Sequence, residues 1–270
     1  MRTTALLAIF LIGLTASAQT AYKAKHRFIY SNASGTTGGI TVEVMDAIGE
    51  LTLCKFRMKV TNKTADYLFV DPSRFRYVMG DAVARFKEKP FVVRPFDSEA
   101  KTLDAYGAST YQHESPVLDF ADGLQMAPGM GRVTAMDEFS LPASTNAMSA
   151  GPFKLNLKDL SKETDKTVAR FSVQYTGSAV GIVDPSRISV KLPSGQAFAN
   201  EKSKSKPVLL EAGGTDDFSV VAEITAKIAD MQFTTLTVAW NDAFTETAKG
   251  PFSMEGLRIA VDQERTKKAN

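Results

Sequence analysis

The sequence holds one cysteine and two histidines among 270 residues. A single cysteine, Cys54, excludes an intrachain disulfide, so stability must come from a buried core, which a chain of this length can build. Two isolated histidines, His26 and His113, do not make a histidine-based zinc cluster. Neither stands near a G-x-S-x-G elbow or a comparable nucleophile, so no catalytic constellation is legible and the chain reads as non-enzymatic. A spaced D-x-D-x-D loop is also missing, and Asp216, Asp217 and Asp242 read as turn residues rather than calcium ligands. No metal or other cofactor is expected. Charge of one sign is lacking too: 32 Lys and Arg stand against 30 Asp and Glu, a balance that calls for no nucleic acid. The nearest thing to a basic run, "NEKSKSKP" (200–207), reads as a solvated loop. Beyond the first residues, no apolar stretch approaches the roughly 20 needed to span a bilayer.

The first residues are of a different kind. Arg2 supplies a positive n-region, Ala5 to Leu14 form an unbroken apolar core, and Ala16 and Ala18 provide the small residues of a signal-peptidase site. Residues 1–18 are expected to be a signal peptide, cleaved before Gln19, with no lipobox cysteine at the cut. The mature chain is therefore expected to be secreted or periplasmic, without a transmembrane span.

What the sequence does have is a repeated phrase. "FVDPSRFRY" occurs at 69–77 and "IVDPSRISV" at 182–190, an offset of 113. Read backwards at that offset without a gap, Gly38 meets Gly151, Val42 meets Leu155, Asp46 meets Asp159 and Arg57 meets Arg170. Read forwards, Phe75, Tyr77 and Met79 meet Ile188, Val190 and Leu192. Such register predicts an internal duplication. Within each copy the apolar period is two, as in "CKFRMKV" and "ARFSVQY", which marks half-buried strands, and this places Cys54 in a core. Turn-rich stretches separate the strands, as "antiparallel β-sandwich" requires. The stretch 216–233 is compatible with either a helix or two strands. The Asp-Pro-Ser-Arg common to both copies reads as a corner made of Asp71, Pro72, Ser73 and Arg74, repeated as Asp184, Pro185, Ser186 and Arg187. Proline ends a ladder, and the preceding aspartate can accept from backbone N–H groups beyond it.

The alternation followed by Asp-Pro-Ser and a strand opening on a large apolar residue resembles bacterial exported immunoglobulin-like domains of the DUF4352 type, over about 40 residues of each copy. The resemblance implies a two-sheet Ig-like fold and supplies no catalytic residues. Two tandem domains are expected, at 19–149, with long loops, and at 150–265, closed by a last strand within 253–262, followed by a frayed tail at 266–270. Two stretches stand out as places for recognition. One is 102–116, with Tyr106, Tyr111 and His113; the other is the long 124–152 connection, where Met126, Met130, Met136 and Met148 suit adaptable packing better than Cu(I). The expected role is a binding or adhesion module of the cell envelope whose partner is an envelope or extracellular protein or glycan. The alternatives are an accessory subunit docking onto a larger envelope assembly and, further off, a loop-built metal carrier or hydrolase.

Overall fold

The computed structural model describes residues 26–201 and 206–270, so the expected signal peptide and the centre of the Lys-Ser run lie outside the described residues. The chain begins with β1 (Phe28–Ile29), β2 (Ala33–Thr37), β3 (Ile40–Gly49) and β4 (Cys54–Asn62). In β4 the alternation is realised residue by residue: Cys54, Phe56, Met58 and Val60 are buried while Lys55, Arg57 and Lys59 face outward. β5 (Tyr67–Val70) leads through the first corner into β6 (Arg76–Met79), β7 (Ala82–Phe86), β8 (Phe91–Val93), β9 (Ser98–Tyr106), β10 (Val117–Asp119) and β11 (Leu124–Ala127). These strands enclose one core, in which Phe56, Tyr77 and Phe86 meet at ring separations of 5.6 to 6.3 Å.

The second half holds a further run of antiparallel strands. β12 (Arg132–Val133), β13 (Phe139–Leu141) and β14 (Ala147–Ala150) precede the long hairpin of β15 (Phe153–Lys162) and β16 (Lys166–Tyr175). β17 (Val180–Val183), the second corner, β18 (Ser189–Lys191), β19 (Ala197–Ala199), β20 (Val208–Leu210), β21 (Thr215–Glu223), β22 (Leu236–Ala239) and β23 (Phe244–Thr247) complete it. Their core gathers Phe171, Phe218, Trp240 and Phe244. The stretch compatible with either a helix or two strands forms β21 and then turns, with backbone bonds from Ala229 to Thr225 and from Thr234 to Asp230. Among the described residues every strand pairing is antiparallel, and the fold is all-β apart from a short C-terminal helix and single 3-10 turns such as those at the two corners.

The pairing registers coincide at the 113-residue offset. Val42 faces Val60 and Val44 faces Met58; correspondingly, Leu155 faces Val173 and Leu157 faces Phe171. Both hairpins carry a bulge, beyond Met45 in one and beyond Leu157 in the other. The turn before each opens with a glycine at positive φ, Gly38 at 53° and Gly151 at 51°, a conformation that a side chain would strain.

The strands do not respect a boundary at 149/150. β12 and β13, which precede it, pair with β23 and β22, and β14, which runs across it, pairs with β15. At the other end β24 (Gly250–Pro251) pairs with β11 of the first half, and the stretch 253–262, expected to close the second domain, instead supplies β25 (Leu257–Arg258), which pairs with β10. Leu257 and Ile259 are buried in the first core because the edge of β10 would otherwise stand open there. The expected frayed tail is a docked helix, α1 (Gln263–Ala269), capped by Asp262. Its Thr266 hydroxyl accepts from the Ile29 amide at 2.9 Å, and Asn270 exchanges hydrogen bonds with the Arg27 backbone at 2.7 and 2.8 Å. Gly250-Pro251-Phe252 matches 151–153 in letters only, since the later triplet sits on β24 and the earlier one spans the turn between β14 and β15.

Candidate functional site: a cleft between the two units

The two corners are built alike. Asp71 and Asp184 leave the preceding strand in extended conformation, at φ −115° and −105°. Each carboxylate accepts from the serine two residues on: the Ser73 amide at 3.1 Å and hydroxyl at 2.6 Å, the Ser186 amide at 3.0 Å and hydroxyl at 2.6 Å. Buried Pro72 and Pro185 offer their carbonyls to Phe75 and Ile188, where the chain turns back toward the core. Arg74 and Arg187 lie 3.2 and 3.5 Å from their corner aspartates. The corners differ in what else the arginine holds. Arg74 donates to the Asp122 carboxylate at 2.7 Å, which raises the guanidinium further above its usual range, whereas Arg187 donates to the Asp242 backbone carbonyl at 3.3 Å.

The first corner stands on the lip of a cleft of about 380 Å³ at the junction of the two units. The junction forms because β5 and β17 are apolar on both faces. Leu68 and Val70 point into the first core, while Tyr67 and Phe69 point away from it, to meet Val180 and Ile182 of β17. Val92 of β8 and Leu209 of β20 extend this contact, and at its margin the sheets part. The resulting floor is Phe69, Phe91, Val92, Leu209 and Leu210. The rim is charged and internally paired: Arg74 with Asp71 and Asp122 on one side, Lys249 with Glu211 on the other. Lys249 also lies 4.9 Å from the centroid of the Phe69 ring, a cation over an aromatic face. Burial at the junction pushes the Tyr67 hydroxyl above its ordinary pKa, helped by the Asp184 carboxylate across the unit boundary. A site of this make-up suits a ligand with an apolar or aromatic body and polar ends that can compete for the rim charges.

The two stretches singled out in the sequence are dispersed. Tyr111 is buried in the first core, its carbonyl accepting from the Tyr30 hydroxyl at 3.1 Å, so only Tyr106 and His113 of that trio reach solvent. His113 receives the Ser115 amide on Nδ1 at 3.3 Å, a local turn contact. Met126 packs on the first core, Met136 and Met148 on the second, and Met130 is exposed on the link between units, so the four thioethers do not converge. Asp217 pairs with Lys158, while Asp242 adopts a left-handed turn conformation at φ 61°. Among the described residues no three His, Cys, Asp or Glu side chains gather as a metal site. Cys54 is buried beside Tyr77, and burial pushes its thiol up to about 12.

The sequence reading missed Phe69, Phe91, Val92, Leu209 and Lys249. A signal was present: Tyr67–Val70 and Val180–Val183 are unbroken apolar runs in a chain that otherwise alternates, which means cover on both faces of the strand. Fold and cleft together define an antiparallel, sandwich-like β molecule with two hydrophobic cores and a cleft where the sheets that enclose them meet. No protein-family model matches the chain, and no curated protein matches it in sequence. Among the described residues no helix is long and apolar enough to cross a membrane.

Proposed function

We propose that this chain is an exported, non-enzymatic binding module of the cell envelope, made of two immunoglobulin-like sandwiches that arose by duplication of the DUF4352-like unit. The ligand is held in the cleft between them. Coincident hairpin registers and twin corners support the duplication. The reading of the site rests on one observation: the cleft joins an apolar floor carrying two phenylalanines to a rim of paired charges, where the sheets meet. An envelope protein segment or a glycan presenting an apolar face fits that chemistry, because each has polar groups to exchange for the Arg74 and Lys249 pairings.

The test is methyl-detected NMR of the mature protein titrated with a panel of short peptides and envelope glycan fragments. Ligands that shift the Val92 and Leu209 methyls, and lose affinity on Lys249→Glu, support the reading. Binding that leaves those methyls unmoved, or no binding at millimolar concentration, overturns it.

A further inference from the structure

In terms of the sequence repeat, the segment that follows each copy pairs into the other copy. β12 and β13 follow the first unit in the chain and pair into the second; β24 and β25 follow the second and pair into the first. The exchange is reciprocal to the residue. Val133 faces Thr245 as Pro251 faces Gln125, and Phe139 faces Val238 as Leu257 faces Leu118. The Thr134 amide donates to the Phe244 carbonyl at 2.9 Å, and the Phe252 amide to the Leu124 carbonyl at 3.0 Å. Met136 and Met254 then occupy matching places against the two cores. The contact between units is likewise self-complementary, with Tyr67, Phe69 and Val92 opposite Val180, Ile182 and Leu209. A two-fold interface with swapped terminal segments is the architecture of a strand-exchanged homodimer, here within one chain.

The two exchanged segments differ in how they are held. Residues 132–141 run between β11 and β14, whereas 250–270 are reached from β23 through the two residues Ala248 and Lys249. That short hinge is the kind of connection at which exchange between molecules occurs. We propose that 250–270 is an exchangeable donor segment whose partner is a second copy of this chain, each copy's first unit being completed by the other's segment in a closed dimer. Closing within one chain wins in dilute solution, because the hinge holds the segment at high effective concentration; refolding at high chain concentration lets the second copy compete.

The test uses Val117 and Arg258, which face each other across β10 and β25. Full-length Val117→Cys and Arg258→Cys chains carrying tags of different size are unfolded together, refolded at a series of concentrations and oxidised. A chain carrying both substitutions shows that the pair can bond when the fold forms, and the unsubstituted chain controls for Cys54. The expected result is a disulfide-linked heterodimer whose share rises roughly tenfold per tenfold increase in concentration while it is the minor species. The proposal is overturned if the double variant forms its internal disulfide while the mixture stays unlinked at every concentration.

Discussion

Cys54 shows how far a residue's chemistry follows from its strand position. Its place on the apolar face of β4 was legible from "CKFRMKV", and burial there holds the thiol at about 12 against an ordinary 9.0. An unfolded chain ionises the thiol near the ordinary value. The contribution of this group to stability is therefore intact below about pH 9 and lost as pH rises toward 12, at up to about 1.4 kcal/mol per pH unit. Cys54→Ala removes this titration. The stability difference between parent and variant in urea unfolding should narrow by about 1 kcal/mol between roughly pH 9 and 10. Parallel curves would show that the thiol titrates alike in both states. Phe96 was not legible in the same way. It is 74% exposed at φ 55° in the turn before β9, a conformation that a bulky residue rarely takes. The corresponding turn before β21 has Gly213 at φ 77°. Nothing in the spacing of the apolar residues reveals the sign of φ in a turn.

At the scale of elements, the corner was the most legible feature, because its determinants lie within four consecutive residues and each acts on the local backbone. Asp71→Ala and Asp184→Ala each remove an acceptor from a serine amide and hydroxyl, and each should cost about 1 kcal/mol in chemical unfolding. The two carboxylates share no partner, so the double variant should lose the sum to within about 0.5 kcal/mol. A double variant no worse than either single one would mean that the corners are not equivalent supports. The exchanged segments were far less legible. Their offset is 118 rather than 113, Met136 and Met254 are the only identity across 132–139 and 250–257, and Gly250-Pro251-Phe252 matches the wrong strand in letters. Short edge pairs such as β12 with β23 carry too few residues for alternation to assign them a sheet. The cleft was hidden for a related reason: its floor is made of ordinary strand residues, and only their unbroken runs mark a second covered face.

For the whole molecule, the chain crosses between the units at 128–131 and 248–249, and the apolar contact and the Lys206–Glu99 ion pair at 3.7 Å also join them. Space at the first crossing is tight: a side chain at Gly129 would run into the Ala65 carbonyl, and one at Gly131 into the Glu246 carbonyl. The consequences of a substitution therefore fall by unit and not by distance along the sequence. Ile259 is fully buried in the first core, so Ile259→Ala should cost about 2 to 5 kcal/mol. In native-state hydrogen exchange the loss should appear in the amides of β10 and β6, some 140 or more residues upstream, while the nearby β23 amides keep their protection. Loss of protection confined to β22 and β23 would place residues 257–259 with the second unit.

The docking of 250–270 on the first unit also sets a timetable. A chain leaving the ribosome presents the first unit's strands early, yet β10 and β11 stay uncovered along one edge until the last stretch has emerged. The second unit, whose flanking strands precede its body, can finish before the first. The half of the molecule made first is thus the half completed last, and a chain that stalls late is left with an exposed seam rather than a missing appendage.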